Sequence, residues 1–309
     1  MKTVYLNKFM SSVVAELEMN GQYGTAHVCG SVLRSVMAFD GEGLPVSGIT
    51  PLWLKAYEGY LLHKGGKGLA WNTVSTYMRM LQAVYNRAVV RKLAAFIPHQ
   101  FRDVFTGRKA DHRRVLERDD MQKLLLDREP DITSPGMAWA RACLELMFRF
   151  HGMPFVDLAH LRKSDLKDGY LTLRRRKTGM PLSARVDGRA MQLLERYRNR
   201  DDTSPYLLCF LDGNLEGMAA YRDYQRILRL LNSKLRALAL WKKVQGKVTS
   251  YSARHTWATV GRYCHIPIEV ISEGLGHASV TTTEGYMKGF GNSRMDRANK
   301  VIMNYIFKG

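Results

Sequence analysis

Cysteine is sparse and scattered. The 309 residues hold four, Cys29, Cys143, Cys209 and Cys264, with no Cys-x-x-Cys among them. Neither a zinc site nor a disulfide framework is expected, and the four read as reduced residues of apolar core segments. Cys264-His265 is an adjacent pair of metal-ligating type, but no second pair accompanies it. Long apolar runs are missing too. The opening stretch MKTVYLNKFM has Lys8 inside its apolar segment, so no secretory signal is expected, and no membrane span is expected elsewhere. Acids are scarce, 28 Asp and Glu against 47 Lys and Arg, which leaves a net charge of +19. That excess is too large for an ordinary enzyme of small metabolites. It suits a polyanion, because each neutralised phosphate releases counterions. A membrane surface fits less well, since no lipidation motif or long basic amphipathic run is present. No P-loop and no acidic metal cluster are found, so no cofactor and no metal are expected.

What is present is a globular composition, 46% apolar and 24% charged, at a length that suits two domains. Leu6, Phe9, Val13, Val14 and Leu17 recur at helical spacing up to a break at Gly21–Gly24. Thr25 is expected to cap a second helix carrying Val28, Val32, Leu33 and Val36. A third helix is predicted over Leu52–Leu62. A fourth, capped by Asn72 or Thr73, has the stripe Val74, Tyr77, Leu81, Val84, Tyr85 and Ala88. Arg79, Arg87, Arg91 and Lys92 fall on its other faces. The polar, basic stretch FTGRKADHRR follows. The resulting division is a helical domain over 1–105, a linker over 106–115 and a second domain over 116–309.

In the second domain, Asp119-Asp120 opens a helix at the positive end of its dipole, and Met137–Phe150 reads as a buried helix. Residues 170–186 read as a β-hairpin, with Tyr170, Thr172 and Arg174 alternating with Leu171, Leu173 and Arg175. Its turn lies near Thr178-Gly179 and carries Lys177. Helices are also predicted over Gly188–Tyr197 and Tyr221–Leu240, and a short one on Val301, Ile302, Tyr305 and Ile306. The fold class is therefore mainly α with a small β-hairpin.

The chain is organised around Ser250–Tyr286. Arg254 and His255 are followed by Leu275-Gly276-His277 and then Tyr286, spaced by 23 (254 to 277) and 9 (277 to 286) residues. The apolar pattern predicts two helices split near Pro267, the second ended by Gly276 so that His277 sits at its exposed edge. A guanidinium grips a phosphate bidentately, an imidazole donates to it or shuttles a proton, and a phenol serves as covalent nucleophile. A helical core with an incidental surface His and Tyr is the plainer alternative for any one of these residues.

This segment resembles the catalytic domain of tyrosine recombinases, the phage-integrase and Xer-like family. The resemblance rests on Arg254-His255-Thr256-Trp257-Ala258-Thr259, on Leu275-Gly276-His277 and on Tyr286. It implies that residues 1–105 are a core-binding domain and that the two domains form a C-shaped clamp around DNA. It also implies that Tyr286 attacks a backbone phosphate to form a 3′-phosphotyrosyl link, without ATP or metal. Arg254 and His277 would stabilise the charge, and Lys177 would protonate the leaving 5′ oxygen. Arg79, Arg87, Lys92, Lys109, Arg113, Arg114, Arg174, Arg175 and Arg176 become candidate DNA contacts. The implied partner is double-stranded DNA with paired recombination sites, bound by a homotetramer in the cytoplasm at the nucleoid.

Two positions depart from the family pattern. Pro154 stands where the first arginine is expected after Gly152-Met153, although the following acid is kept as Asp157. Proline suits a first helical turn but binds no phosphate. Arg149 is the leading candidate to reach that phosphate instead, ahead of Arg141 and His151. Tyr251 replaces the histidine three residues before Arg254. It still donates a hydrogen bond, but the base role passes to His277, and His255 becomes a packing residue. The two departures keep open a cleavage-deficient DNA-binding protein derived from a recombinase.

Overall fold

The computed structural model describes residues 3–109, 115–126, 134–277, 279–284 and 299. Backbone contacts divide the chain into two compact units, 1–110 with 215–221, and 111–214 with 222–309.

The first unit is built on four helices, α1 (Leu6–Met19), α2 (Tyr23–Asp40), α3 (Pro51–His63) and α4 (Trp71–Val90). Their apolar stripes meet in one core that includes Leu6, Met10, Val32, Leu54, Tyr57, Leu61, Met78 and Leu81. Thr50 caps α3 by accepting from the Trp53 N–H, with Pro51 in the first turn. Two expected caps are not caps. Thr25 lies inside α2, which begins after Gln22, and Asn72 lies inside α4, which begins after Ala70. The Asn72 side chain instead makes two hydrogen bonds with the Lys109 backbone, 2.8 Å each.

The second unit carries α5 (Arg118–Leu125), α6 (Pro135–Arg149), α7 (Phe155–Ala159), α8 (Gly188–Arg196), α9 (Gly217–Trp241, its first five residues counted with the first unit), α10 (Ser252–Tyr263), α11 (Ile268–Gly274) and α12 (Val280–Glu284). An antiparallel sheet runs β1 (Leu166–Lys167), β2 (Tyr170–Arg174), β3 (Pro181–Arg185) in that order. Leu171 pairs with Ala184 and Leu173 with Leu182, so the alternating apolar residues share one face and turn it to the core. That core gathers Leu144, Leu146 and Phe150 of α6 with Leu231, Leu235 and Leu238 of α9. A smaller cluster of Ala258, Ile271 and Leu275, with Trp257 and Ile268, ties α10 to α11.

The cysteines divide. Cys29 and Cys143 are buried, and Cys209 and Cys264 are exposed, contrary to the expectation of four core residues. Cys209 faces out between buried Leu208 and Phe210, and Cys264 is the residue after α10. Among the described residues no helix is long and apolar enough to cross a membrane.

Candidate active site

The site forms where α10, the end of α11, the entry to α7 and the β2–β3 hairpin meet. Pro267 precedes α11 and separates it from α10. The α11 C-terminus closes as a Schellman turn. His277 N–H donates to Ser272 O (3.0 Å), Gly276 N–H donates to Glu273 O (2.7 Å), and Gly276 takes the positive φ of 60° that this turn demands. The turn leaves the Leu275 carbonyl at the negative end of the helix dipole, where cations bind well.

Two guanidiniums donate to that carbonyl. Arg254 is 2% exposed. Its Nη2 reaches Leu275 O at 2.6 Å, and its Nη1 reaches Gly152 O at 3.0 Å. Gly152 has φ 67°, and a Cβ there would lie 2.9 Å from Arg254 Cα, so glycine lets the two backbones meet. The second guanidinium belongs to Arg175, 5% exposed. Its Nη1 donates to Leu275 O and to Gly276 O, the latter at 3.3 Å. Its Nε donates to Asp157 Oδ2 at 2.8 Å. The other oxygen of that buried carboxylate accepts from Arg176 N–H at 2.9 Å, which binds the hairpin to α7.

Arg254 Nη2 also lies 2.7 Å from His277 Nε2. A guanidinium has only donors, so Nε2 accepts and the imidazole proton sits on Nδ1. Nδ1 then donates to buried Thr283 Oγ1 at 2.8 Å. Burial first, then the charges of Arg254 and Arg175, lower the His277 pKa to about 4. The ring is therefore neutral at physiological pH. His160, just after α7, is also lowered to about 4, by burial and then by Arg176, against opposing effects of Val156 O and Asp157.

The pair gives the fold a pH dependence. Unfolded histidine titrates near pH 6.5, so below that the unfolded chain takes up protons that the folded chain refuses. Stability is fully present above about pH 6.5 and falls as the pH drops toward 4. Thermal melts stepped from pH 7 to 5, above most carboxylate titration, should show this slope. His160→Gln/His277→Gln should flatten it, and an unchanged slope would assign it elsewhere.

The other candidates fall as follows. Tyr251 is 38% exposed at the start of α10, its ring 6.1 Å from that of buried His255. Lys177 is exposed on the hairpin tip and has no partner among the described residues. Arg149 lies in a different network, with Glu145 at 2.9 Å and Asp187 at 2.6 Å. Arg174 and Arg176 are exposed, whereas Arg175, expected beside them as a surface phosphate grip, points inward. Arg79 and Lys92 are exposed on and just after α4. Arg87 is half-buried and pairs with Glu16 of α1 at 3.4 Å. Lys109 Nζ sits 4.2 Å above the Trp71 ring. Arg113, Arg114, Tyr286 and the terminal helix expected on Val301–Ile306 lie outside the described residues.

Arg175 as part of the cluster is what the sequence reasoning missed. The signal was available, since alternation puts Arg175 on the face of Leu171 and Leu173. An arginine on an inward face needs a buried acid.

In a helical unit with one short sheet, two guanidiniums and a neutral imidazole are thus gathered at the C-terminus of α11, a donor set of the kind that pairs with phosphate oxygens. Residues 114–290 match the family described as Phage integrase family, and residues 5–102 match the one described as Phage integrase SAM-like domain. The chain belongs to the phage integrase family. It is 29% identical over 140 residues to "Tyrosine recombinase XerA" of Pyrococcus furiosus, covering 44% of this chain and 46% of that one. It is 26% identical over 180 residues to "Putative integrase/recombinase y4gC" of Sinorhizobium fredii, covering 56% of this chain and 88% of that one. The chain thus spans about half the length of the first curated relative it matches. Among solved structures, a lambda integrase dimer bound to a COC′ core site superposes with TM-score 0.66 at 18% identity, covering 94% of this chain and 97% of that one. The Tn1549 transposon integrase in complex with transposon right end DNA superposes with TM-score 0.65 at 16% identity, covering 99% and 100%. At such identities the likeness is one of fold.

Proposed function

We propose that this protein is a site-specific DNA recombinase that exchanges strands through a 3′-phosphotyrosyl intermediate. The observation that carries this reading is the Arg254–His277 contact at the α11 terminus, nine residues before Tyr286 in a chain of net charge +19. The Tyr286 oxygen attacks the scissile phosphorus and the bond to the 5′ oxygen breaks. Lys177 gives that oxygen its proton. Arg254 holds the charge on the non-bridging oxygens as a preorganised donor.

His277 takes the phenol proton on Nε2 once a bound phosphate draws the Arg254 donor away from it, since Nδ1 already carries a proton. In the free protein its basicity is suppressed by burial and two guanidiniums. A bound phosphate offsets those charges and raises its pKa, so the base becomes competent only with DNA in place. The bond energy stays in the phosphotyrosine until a partner 5′ hydroxyl reverses the step, so the exchange needs neither ATP nor metal. Two sites must be paired, which agrees with the lambda integrase tetramer bound to a Holliday junction. A homotetramer on double-stranded DNA is therefore the proposed working form. The helical domain over 1–105 and the linker over 106–115 would add contacts to the duplex, with Arg79, Lys92 and Lys109 on phosphates. A cytoplasmic, nucleoid-bound protein follows from that partner.

The test is covalent capture on nicked duplexes of randomised sequence, in which the cleaved end diffuses away. The wild type should leave protein on DNA that resists SDS, at one sequence and one phosphate. Tight binding with no adduct would mark a cleavage-deficient DNA-binding protein. Relaxation of supercoiled DNA without pairing of sites would mark a topoisomerase-like enzyme.

A further inference from the structure

With Pro154 in the first arginine position, one phosphate-holding guanidinium is missing from its usual place. We propose that Arg175 supplies it, from the hairpin instead of the α6–α7 junction. This deepens the recombinase reading above and rests on it.

Arg175 and Arg254 donate to one oxygen, Leu275 O. Their donor nitrogens are therefore within about 6 Å of each other, twice a hydrogen-bond length. A structural ion pair with Asp157 would not require this, and two cations at that range repel. An anion bound between them relieves the repulsion.

Donor use points the same way. Three of the five Arg175 N–H groups are taken by Asp157, Leu275 O and Gly276 O. Among the described residues the two on Nη2 have no partner, which leaves them for a ligand. Asp157 is also informative. It follows position 154 by three residues and is the acid kept from the family motif. In this chain it orients Arg175. Arg149 is held instead by Glu145 and Asp187. Burial is no objection, because Arg254 is at least as buried.

The experiment measures two things on the randomised nicked-duplex pool, the yield of SDS-resistant adduct and the slope of log K against log salt. Arg175→Lys keeps a charge for Asp157 but loses the fork. Its melting temperature should stay near wild type while adduct formation falls more than tenfold. Asp157→Asn/Arg175→Met removes the pair without stranding a charge. Its adduct yield should fall about a hundredfold or more, the scale of one lost oxyanion donor. Its salt slope should drop by about one, as for one lost phosphate contact. Adding Pro154→Arg to that double variant should restore part of the yield, because it returns a guanidinium to the same phosphate from the usual side.

Adduct yields within threefold of wild type for both Arg175 variants would overturn the proposal and leave the recombinase reading intact. So would a greater loss in Arg149→Met. If the wild type itself formed no adduct, the recombinase reading would fail, and the slope would then decide Arg175: unchanged overturns it, lowered by one supports it.

Discussion

Tyr286→Phe is expected to abolish covalent capture while leaving DNA affinity within about twofold, since one phenol oxygen is too little to alter a binding energy set by many phosphate contacts. The loss should be complete because no second nucleophile replaces it. A rival phenol does exist in the second domain. Tyr251 stands three residues before Arg254, 38% exposed, at the start of the helix that carries that arginine. If Tyr251 were the nucleophile, Tyr251→Phe would abolish the adduct and Tyr286→Phe would not. The sequence favours Tyr286, which follows His277, the proposed base, by nine residues. The Tyr251 ring instead neighbours His255, which is buried and packed. Tyr251→Phe should therefore retain capture within about tenfold, the scale of one hydrogen bond. Peptide mapping of the adduct settles the choice from a single sample.

Helices were legible where the apolar period was strong. The α10–α11 break at Pro267 and the Schellman turn at Gly276 follow from two residues whose backbone limits are absolute, a ring-locked φ and an allowed positive φ. Caps were less legible. Asn72 satisfies the rule for a cap, but its amide is recruited by the Lys109 backbone 37 residues away, and no local pattern reveals such a partner. Arg175 shows the same limit more sharply. Three consecutive arginines look like one basic surface, and the alternation that separates them acquires meaning only once Asp157 is found beneath the middle one. Cys209 fails for a related reason. An apolar run of six residues suggests uniform burial, but here it forms only isolated bridges, Arg162 with Tyr206 and Arg198 with Leu208, so one member turns outward.

Lys177→Ala should slow adduct formation by about a hundredfold to ten-thousandfold, the usual range for a lost general acid. The hairpin explains why this residue is suited to the role. Its tip is closed by Gly179 N–H on Arg175 O (2.8 Å) and Arg175 N–H on Met180 O (2.9 Å), and Asp157 holds the Arg176 N–H beside it. Lys177 thus sits on a fixed base with a mobile stem, and its ammonium has no protein partner among the described residues. The neighbouring Arg174 and Arg176 cannot substitute, because a guanidinium does not release its proton in this pH range. The diagnostic step is to change the leaving group. With sulfur in place of the 5′ bridging oxygen the departing thiolate has a pKa near 8.5, by analogy with cysteine, and needs no proton in the transition state. Wild type and Lys177→Ala should then react at similar rates. If the variant stays slow on the sulfur substrate, Lys177 is holding DNA and not supplying a proton, and the acid must be sought elsewhere in the cluster. If the rates converge, the proton comes from the hairpin, and Asp157 then links acid and phosphate clamp, with one oxygen on the backbone beside Lys177 and the other on the Arg175 guanidinium.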